Sequence, residues 1–208
     1  MKKNIYTFSY VNPELSDTIK VGFKDFPGFG NIHKTYKSNE LFANILTRLP
    51  NKSRPDYLEI LNSYNIEIDS SNLEILKATK GRLLTNNFEF VPAFDHKKIE
   101  FDVAGTRHCE DVKKCIKQNL IHINDKLELE PNNQYDKNAI KVLLYKSGHK
   151  YHLGYVPRYY AEELSKWLEN KTTYSAMIQS LNFESKISNE DVTAFVKLIF
   201  NKKNTYLK

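Results

Sequence analysis

A short polar connection between two strand-like runs carries the side chains best suited to binding chemistry. It joins "KLELEP" to "AIKVLLYK" and contains Tyr135, Asp136 and Asn138. A tyrosine ring can stack on a flat ligand, whereas an ionised carboxylate is a hydrogen-bond acceptor only. Turns favour Asn and Asp for the bonds these side chains make to the backbone, but they do not need a tyrosine. The combination indicates a ligand contact at this loop.

Each of these residues also has a structural explanation. Asp136 and Asn138 could fix the turn through hydrogen bonds between their side chains and nearby backbone groups. We favour this structural role for Asn138, and for Asp136 the structural and binding roles are evenly balanced. Tyr135 favours a binding role because an exposed tyrosine is an unusual turn residue.

The residue types that support catalysis or metal binding form no recognisable pattern. The chain has two cysteines, Cys109 and Cys115, whose spacing matches neither a CxxC redox motif nor half of a zinc site. The six histidines are scattered, and His108 next to Cys109 forms no catalytic pair by adjacency alone. We therefore predict a protein that is not an enzyme and that holds no metal or other cofactor.

The composition is that of an ordinary globular protein with a modest positive charge. Of 208 residues, 40% are hydrophobic and 27% are charged, and the formal net charge is +6. Such a charge is compatible with a polyanionic partner but is weak evidence alone. No apolar run approaches the roughly 18 residues of a membrane span, and the N-terminus lacks the apolar region of a secretory signal. We therefore expect a cytoplasmic protein without membrane contact.

A boundary near residues 92–98 separates two differently patterned halves. The first predicts two strands, "NIYTFSYV" and "TIKVGFKDF", followed by helices in "SNELFANILTRL", "SRPDYLEIL" and "SNLEILKATKG". Ser71 and Glu74 have capping-box spacing at the third of these helices. The second half predicts six short strands with one or two helices. This is an α+β pattern in which a small closed or partly open barrel follows a small strand-then-helix domain.

Three segments of the second half carry a family resemblance: "VAGTRH", "LEPNNQYDKNAIKV" and "LGYVPRYYAEELSKWL". Residues 96–208 resemble a HIRAN domain in the order of elements and in these segments. The middle segment is the most specific, because it matches the family spacing at Pro131, Asn132, Tyr135, Asp136, Asn138 and Ala139. The resemblance implies an OB-like small β-barrel with one or two helices that grips the 3′ end of single-stranded DNA.

The resemblance also gives the loop residues specific roles. Tyr135 would stack on a base, which contributes roughly 1–3 kcal/mol whatever the base. Asp136 would accept a hydrogen bond from the terminal 3′ hydroxyl, with Asn138 in the same loop. A continuing phosphate would be repelled at a cost of about 4 kcal/mol at about 4 Å and an effective dielectric constant near 20. Lys137 is an additional candidate for a phosphate contact.

Four further residues match or border positions of the family's DNA groove. Arg107, expected on the first strand, matches the position that meets phosphate and base, although it could instead pair with a strand carboxylate. Tyr155 and Arg158 match positions lining the groove, although a core tyrosine and a solvated first-turn arginine are the structural alternatives. His108, together with Cys109, stands where the family usually has aromatic residues, so one stacking platform is lost or replaced by imidazole.

Residues 1–95 resemble, more weakly, the N-terminal portion of HipA-type kinases, through "FPGFGNIHKTYKSNELFANILTRLPNKSRPDYLEIL" and "LEILKATKGRLLTNNFEFV". No Gly-rich phosphate loop accompanies this likeness, which implies a binding or docking role. Arg48, Lys52 and Arg54 form a basic cluster that we interpret as a solvated helix end, with a second nucleic-acid or partner contact as the alternative. We predict a monomeric, non-catalytic bacterial protein that recognises single-stranded 3′-hydroxyl DNA ends in repair, stress response or defence. The alternative is a regulatory protein that docks a protein partner through its N-terminal half.

Overall fold

A computed structural model of the chain describes residues 5–11, 15–83, 85–86, 88–131, 136–170, 172–183 and 192–201. The chain forms two compact units, Met1–Pro92 and Ala93–Lys208. Each unit has hydrophobic clusters of its own. Among the described residues, no helix has the length and apolar character needed to cross a membrane.

The described part of the first unit combines a two-stranded antiparallel sheet with short helices. Its elements are β1 (Tyr6–Phe8), α1 (Leu15–Lys20), β2 (Tyr36–Ser38), α2 (Ala43–Leu46), α3 (Tyr57–Ser63) and α4 (Asn72–Thr79). The capping box at the start of α4 is confirmed. Ser71 Oγ accepts the backbone N–H of Glu74 at 3.3 Å, and the Glu74 carboxylate accepts the backbone N–H of Ser71 at 2.7 Å.

The predicted second strand of this unit, residues 18–26, is wrong. Its first part belongs to α1, which ends in a Schellman motif around Gly22, a residue with φ of +97°. The backbone N–H of Gly22 donates to the Ile19 carbonyl, and that of Phe23 donates to the Thr18 carbonyl, both at 3.0 Å. The β-branched residues suggested a strand, but the helix-ending glycine decides the local conformation.

The second unit is built on a six-stranded antiparallel sheet in the order β3-β8-β7-β4-β5-β6. Every strand and helix predicted for this half is present: β3 (Lys98–Asp102), α5 (Glu110–Lys117), β4 (Lys126–Pro131), β5 (Ile140–Lys146), β6 (His149–Tyr155), α6 (Arg158–Glu169), β7 (Tyr174–Asn182) and β8 (Thr193–Phe200). A one-turn 3-10 helix, Thr106–His108, lies between β3 and α5.

The predicted barrel is partly open, because no continuous ladder joins the edge strands β3 and β6 in the part of this unit that the structure describes. A single bridge between Ala104 and Tyr155 connects the end of β6 to the chain just after β3. The core combines buried residues of the sheet with buried residues of α5 and α6. It includes Phe101, Val142, Leu164, Ile178 and Val196, each at most 2% exposed.

Candidate nucleic-acid interface

Tyr155, the last residue of β6, pairs with a backbone segment on each of its two sides. Its backbone N–H and carbonyl form two 2.9 Å hydrogen bonds with Ala104. On the other side Tyr155 pairs in register with Lys141 of β5, and the next residue, Val156, donates its N–H to the Ile140 carbonyl at 2.9 Å. The turn after Ala104 and the loop before β5 therefore both join the sheet next to Tyr155.

Gly154 allows the β6 backbone to approach Ala104 this closely. Its φ is +142°, and a Cβ atom at this position would lie 2.5 Å from the Ala104 carbonyl oxygen and 2.6 Å from Cγ1 of Val103. The β5–β6 register shifts at the same place. Because of this bulge, the rings of His152 and Tyr155 meet edge to face, with centroids 4.8 Å apart. The glycine inside the strand-like run "YHLGYV" was the sequence signal for this irregularity.

Arg107 and His108 lie on the 3-10 turn, so the predicted position of Arg107 on the first strand is wrong. Gly105, with φ of +76°, turns the chain away from the strand direction, and its carbonyl accepts the N–H of His108 at 3.1 Å. The buried Thr106 hydroxyl anchors the turn by donating to the Val192 carbonyl at 2.9 Å. Both Arg107 and His108 are exposed, and Arg107 Nε donates to His108 Nε2 at 2.9 Å. The imidazole of His108 is therefore hydrogen-bonded to the guanidinium of the neighbouring Arg107.

The loop before β5 is described only from Asp136 onward, so Tyr135 lies outside the described residues. Asp136 Oδ1 accepts the backbone N–H of Asn138 at 3.0 Å, and the Asp136 carbonyl accepts the N–H of Ala139 at 2.9 Å. These are the bonds of an Asx-type turn. The carboxylate of Asp136 therefore fixes the turn, and Asn138 contributes its backbone N–H to it.

The second carboxylate oxygen of Asp136 forms an ion pair with Arg158. Oδ2 lies 3.5 Å from Nη2 of Arg158, the first residue of α6. The Arg158 side chain is 93% exposed and that of Asp136 is 38% exposed. An ion pair this exposed contributes little to stability and can rearrange when a ligand arrives. Lys137, also exposed, follows Asp136 directly in the same loop.

A comparison with protein families matches residues 96–195 to the HIRAN domain. The second unit carries a HIRAN domain. The match begins just before β3 and extends into β8, so it includes the Arg107 turn, the Asp136 loop and the start of α6. It does not extend to the first unit, and the resemblance of residues 1–95 to HipA-type kinases finds no support in these comparisons.

Two solved structures are similar to part of this chain. The HIRAN domain of human HLTF is 21% identical, with 52% of this chain and 78% of that chain covered and a TM-score of 0.37. A structural-genomics target protein from Lactobacillus plantarum is 20% identical, with 50% of this chain and 92% of that chain covered and a TM-score of 0.36. Among curated proteins, none matches the chain.

Two residues near Tyr155 in the HIRAN domain were missed by the sequence prediction, Lys141 and His152. Lys141 is half-buried and is the register partner of Tyr155, so both side chains lie on the same face of the sheet. Burial lowers the pKa of His152, the Gly154 carbonyl opposes this shift, and the nearby Lys141 ammonium lowers the pKa further. The outward position of Lys141 in the alternating run "AIKV" was a usable signal for a basic residue on this face.

The candidate interface therefore has two parts, one on each side of Tyr155 in the sheet. One part is the exposed pair Arg107 and His108, and the other is Asp136 with Arg158. The cations Arg107, Lys141 and Arg158 could contact an anionic ligand, although the carboxylates of Asp111 and Glu130 also lie near His152. Within the described stretches, no group of three or more His, Cys, Asp or Glu side chains is placed to hold a metal ion.

Proposed function

We propose that this protein binds single-stranded DNA through its HIRAN domain and recognises a free 3′-hydroxyl end without catalysing a reaction. HIRAN domains are known as DNA-binding modules, and this domain matches residues 96–195. One observation carries the proposal most directly: the carboxylate of Asp136, in the loop that joins the sheet next to Tyr155, lies 3.5 Å from the guanidinium of Arg158. We expect a role in DNA repair, stress response or defence.

In this proposal, the basic side chains around Tyr155 supply the affinity for the phosphate backbone of the DNA. Arg107, Lys141 and Arg158 lie on three different elements around Tyr155, and each can contact a separate phosphate. A guanidinium can bind a phosphate through two hydrogen bonds and can also stack on a base. The Tyr155 ring is a stacking surface in the middle of this set, and such stacking is tolerant of base identity. Tyr135 remains a predicted second stacking residue.

The carboxylate supplies the preference for a free end. A 3′ hydroxyl can donate a hydrogen bond to Asp136, whereas a 3′ phosphate would bring a second negative charge to the same place. The nearby Arg158 reduces this repulsion, because its guanidinium lies 3.5 Å from Oδ2. The preference for a 3′ hydroxyl over a 3′ phosphate is therefore strongest when the Arg158 guanidinium turns towards the last internal phosphate of the strand. The Asp136 carboxylate is then available to accept the hydrogen bond of the 3′ hydroxyl. The 93% exposure of the Arg158 side chain leaves room for that movement.

Replacing Arg107 by alanine is expected to weaken DNA binding for every sequence and to reduce its salt dependence. Loss of one phosphate contact should lower the slope of log K against log salt by about 0.7 for a single strand. Fluorescence anisotropy with a labelled single-stranded oligonucleotide at several salt concentrations measures this slope. Arg54→Ala is the matched control, because Arg54 is an exposed arginine of the first unit that pairs with Asp56 at 2.7 Å. An unchanged slope for Arg107→Ala, or an equal change for Arg54→Ala, would count against this site.

The first unit supports a second candidate function, the docking of a protein partner. Its side chains Val11, Ile19 and Val21 are apolar and are 89%, 40% and 85% exposed. Exposed apolar side chains are candidates for contacts with a protein partner. Partners that remain bound to the purified protein after nuclease treatment would favour this candidate, whereas partners lost with the nucleic acid would favour DNA binding. The resemblance of residues 1–95 to HipA-type kinases stays a prediction.

A further inference from the structure

Cys109 and His152 are 43 residues apart in the sequence and form a thiol–imidazole pair in the fold. Cys109 Sγ lies 3.8 Å from Nδ1 of His152. The other ring nitrogen, Nε2, lies 3.0 Å from the Gly154 carbonyl oxygen. A carbonyl only accepts, so Nε2 carries the proton of the neutral ring and Nδ1 presents its lone pair to the sulfur. The histidine next to Cys109 in the sequence, His108, is instead bonded to Arg107.

Both members of the pair are held in place by the backbone around them. His152 lies on β6, and its backbone N–H donates to Asp111 Oδ2 at 3.0 Å. Cys109 is the N-cap residue of the eight-residue helix α5, whose first turn carries Glu110 and Asp111. Burial lowers the pKa of His152, so the imidazole is neutral and available as a base at pH 7. Besides Cys109, the charged groups around the ring are Lys141, Asp111 and Glu130.

The second cysteine of the chain, also buried, is more deeply enclosed. Cys115 lies on the same helix but is 0% exposed, compared with 7% for Cys109. Burial raises the pKa of the Cys115 thiol to about 11, and the carboxylates of Asp111 and Asp125 add to this shift. A protonated and fully enclosed thiol is unreactive. The chain therefore contains one thiol with a base beside it and one inert thiol as an internal control.

We propose that Cys109 is a site of oxidation by small hydroperoxides, with His152 as its base. The thiol proton moves to Nδ1 of His152, and the thiolate attacks one oxygen of the hydroperoxide. The S–O bond forms while the O–O bond breaks, and the leaving oxygen takes the proton from the imidazolium. The products are a sulfenic acid at Cys109 and one molecule of water or alcohol. Sulfur loses two electrons and the peroxide gains them.

The position of Cys109 links this oxidation to the DNA interface. Cys109 directly follows the turn that carries Arg107 and His108, and its Sγ lies 3.6 Å from the Gly105 carbonyl oxygen. The side chain belongs to the hydrophobic core of the unit, so an added oxygen atom requires the turn to move. We expect oxidation to weaken DNA binding. This consequence rests on the proposed function, whereas the oxidation itself does not.

Mass spectrometry of the full-length protein after brief exposure to hydrogen peroxide tests the proposal, with dimedone present to trap sulfenic acid. We expect a dimedone adduct on Cys109 at least tenfold sooner than on Cys115, within the same wild-type molecules. His152→Gln should slow formation of the Cys109 adduct about tenfold, whereas Cys115→Ala should leave the rate of formation of the Cys109 adduct unchanged. Equal rates at the two cysteines, no adduct at Cys109, or an unaffected rate in folded His152→Gln would overturn the proposal.

Fluorescence anisotropy with single-stranded DNA, on parallel samples oxidised with and without dimedone, separates the thiol site from the proposed DNA binding. An adduct on Cys109 in a protein that never binds DNA would support the thiol site and reject the proposed function. An adduct on Cys109 with unchanged DNA affinity would reject the coupling between them. Weaker DNA binding that follows the extent of the Cys109 adduct, and that recovers on reduction of untrapped sulfenic acid, would support both.

Discussion

Replacing Gly154 by alanine is expected to destabilise the HIRAN domain by at least about 3 kcal/mol, because a side chain there combines backbone strain with a clash. The φ of +142° is a conformation that residues with a Cβ atom rarely adopt. A Cβ atom would also lie 2.5 Å from the Ala104 carbonyl oxygen. That carbonyl accepts the N–H of Tyr155, so the clash pushes β6 away at the bridge on which the interface depends. DNA binding should be lost together with stability.

Urea denaturation followed by circular dichroism gives the change in the free energy of unfolding for Gly154→Ala. Gly148→Ala is the matched control, since Gly148 has a φ of +79° but a Cβ atom added there would meet nothing within 4 Å. We expect that control to cost only about 1 kcal/mol, from backbone strain alone. Equal destabilisation by the two variants would show that the close approach of β6 to Ala104 is unimportant.

Replacing Arg48 by methionine is expected to destabilise the first unit by about 3 kcal/mol, because buried acceptors lose their donors. Arg48 is only 5% exposed. Its Nε donates to the Gly81 carbonyl at 2.8 Å, and its Nη2 donates to Asn86 Oδ1 at 2.9 Å and to the Phe88 carbonyl at 2.7 Å. The guanidinium thus connects the end of α2 to the segment that follows α4. The interpretation of Arg48 as part of a solvated helix end is wrong.

Arg54→Met is the control for this second prediction, because it makes the same chemical change at an exposed arginine of the same unit. The guanidinium of Arg48 also lies 5.6 and 5.8 Å from the ring centroids of Phe26 and Phe90, and methionine keeps only the apolar part of these contacts. Hydrogen–deuterium exchange should show faster exchange around residues 75–90 in Arg48→Met and little change in Arg54→Met. Similar exchange in both variants would contradict a structural role for Arg48.

The strands of the second unit could be predicted because their pattern is local. In β3, Ile99 and Phe101 are buried and alternate with more exposed residues, which is the period of a half-buried strand. The capping box of α4 was readable for the same reason, since it lies within four residues. The strand predicted over α1 failed because strand propensity is a weaker signal than the Schellman motif at Gly22.

The geometry of the proposed interface was predicted less completely because it depends on contacts between distant segments. Asp136 and Arg158 meet only because β5 and β6 pair in one register, and His152 faces Tyr155 only because that register contains a bulge. The Cys109–His152 pair and the burial of Arg48 join residues that are 43 and at least 33 positions apart. The family resemblance selected Asp136, Tyr155 and Arg158 from a pattern of residues, but it gave none of these contacts.

The most direct test of end recognition compares two oligonucleotides that differ only at their 3′ ends, one with a hydroxyl and one with a phosphate. Fluorescence anisotropy should show wild-type protein binding the hydroxyl end at least about tenfold more tightly, which corresponds to about 1.4 kcal/mol. In Asp136→Asn the preference should disappear, because the amide keeps the size of the side chain and loses its negative charge. Equal affinity of the wild-type protein for the two ends would contradict end recognition by Asp136.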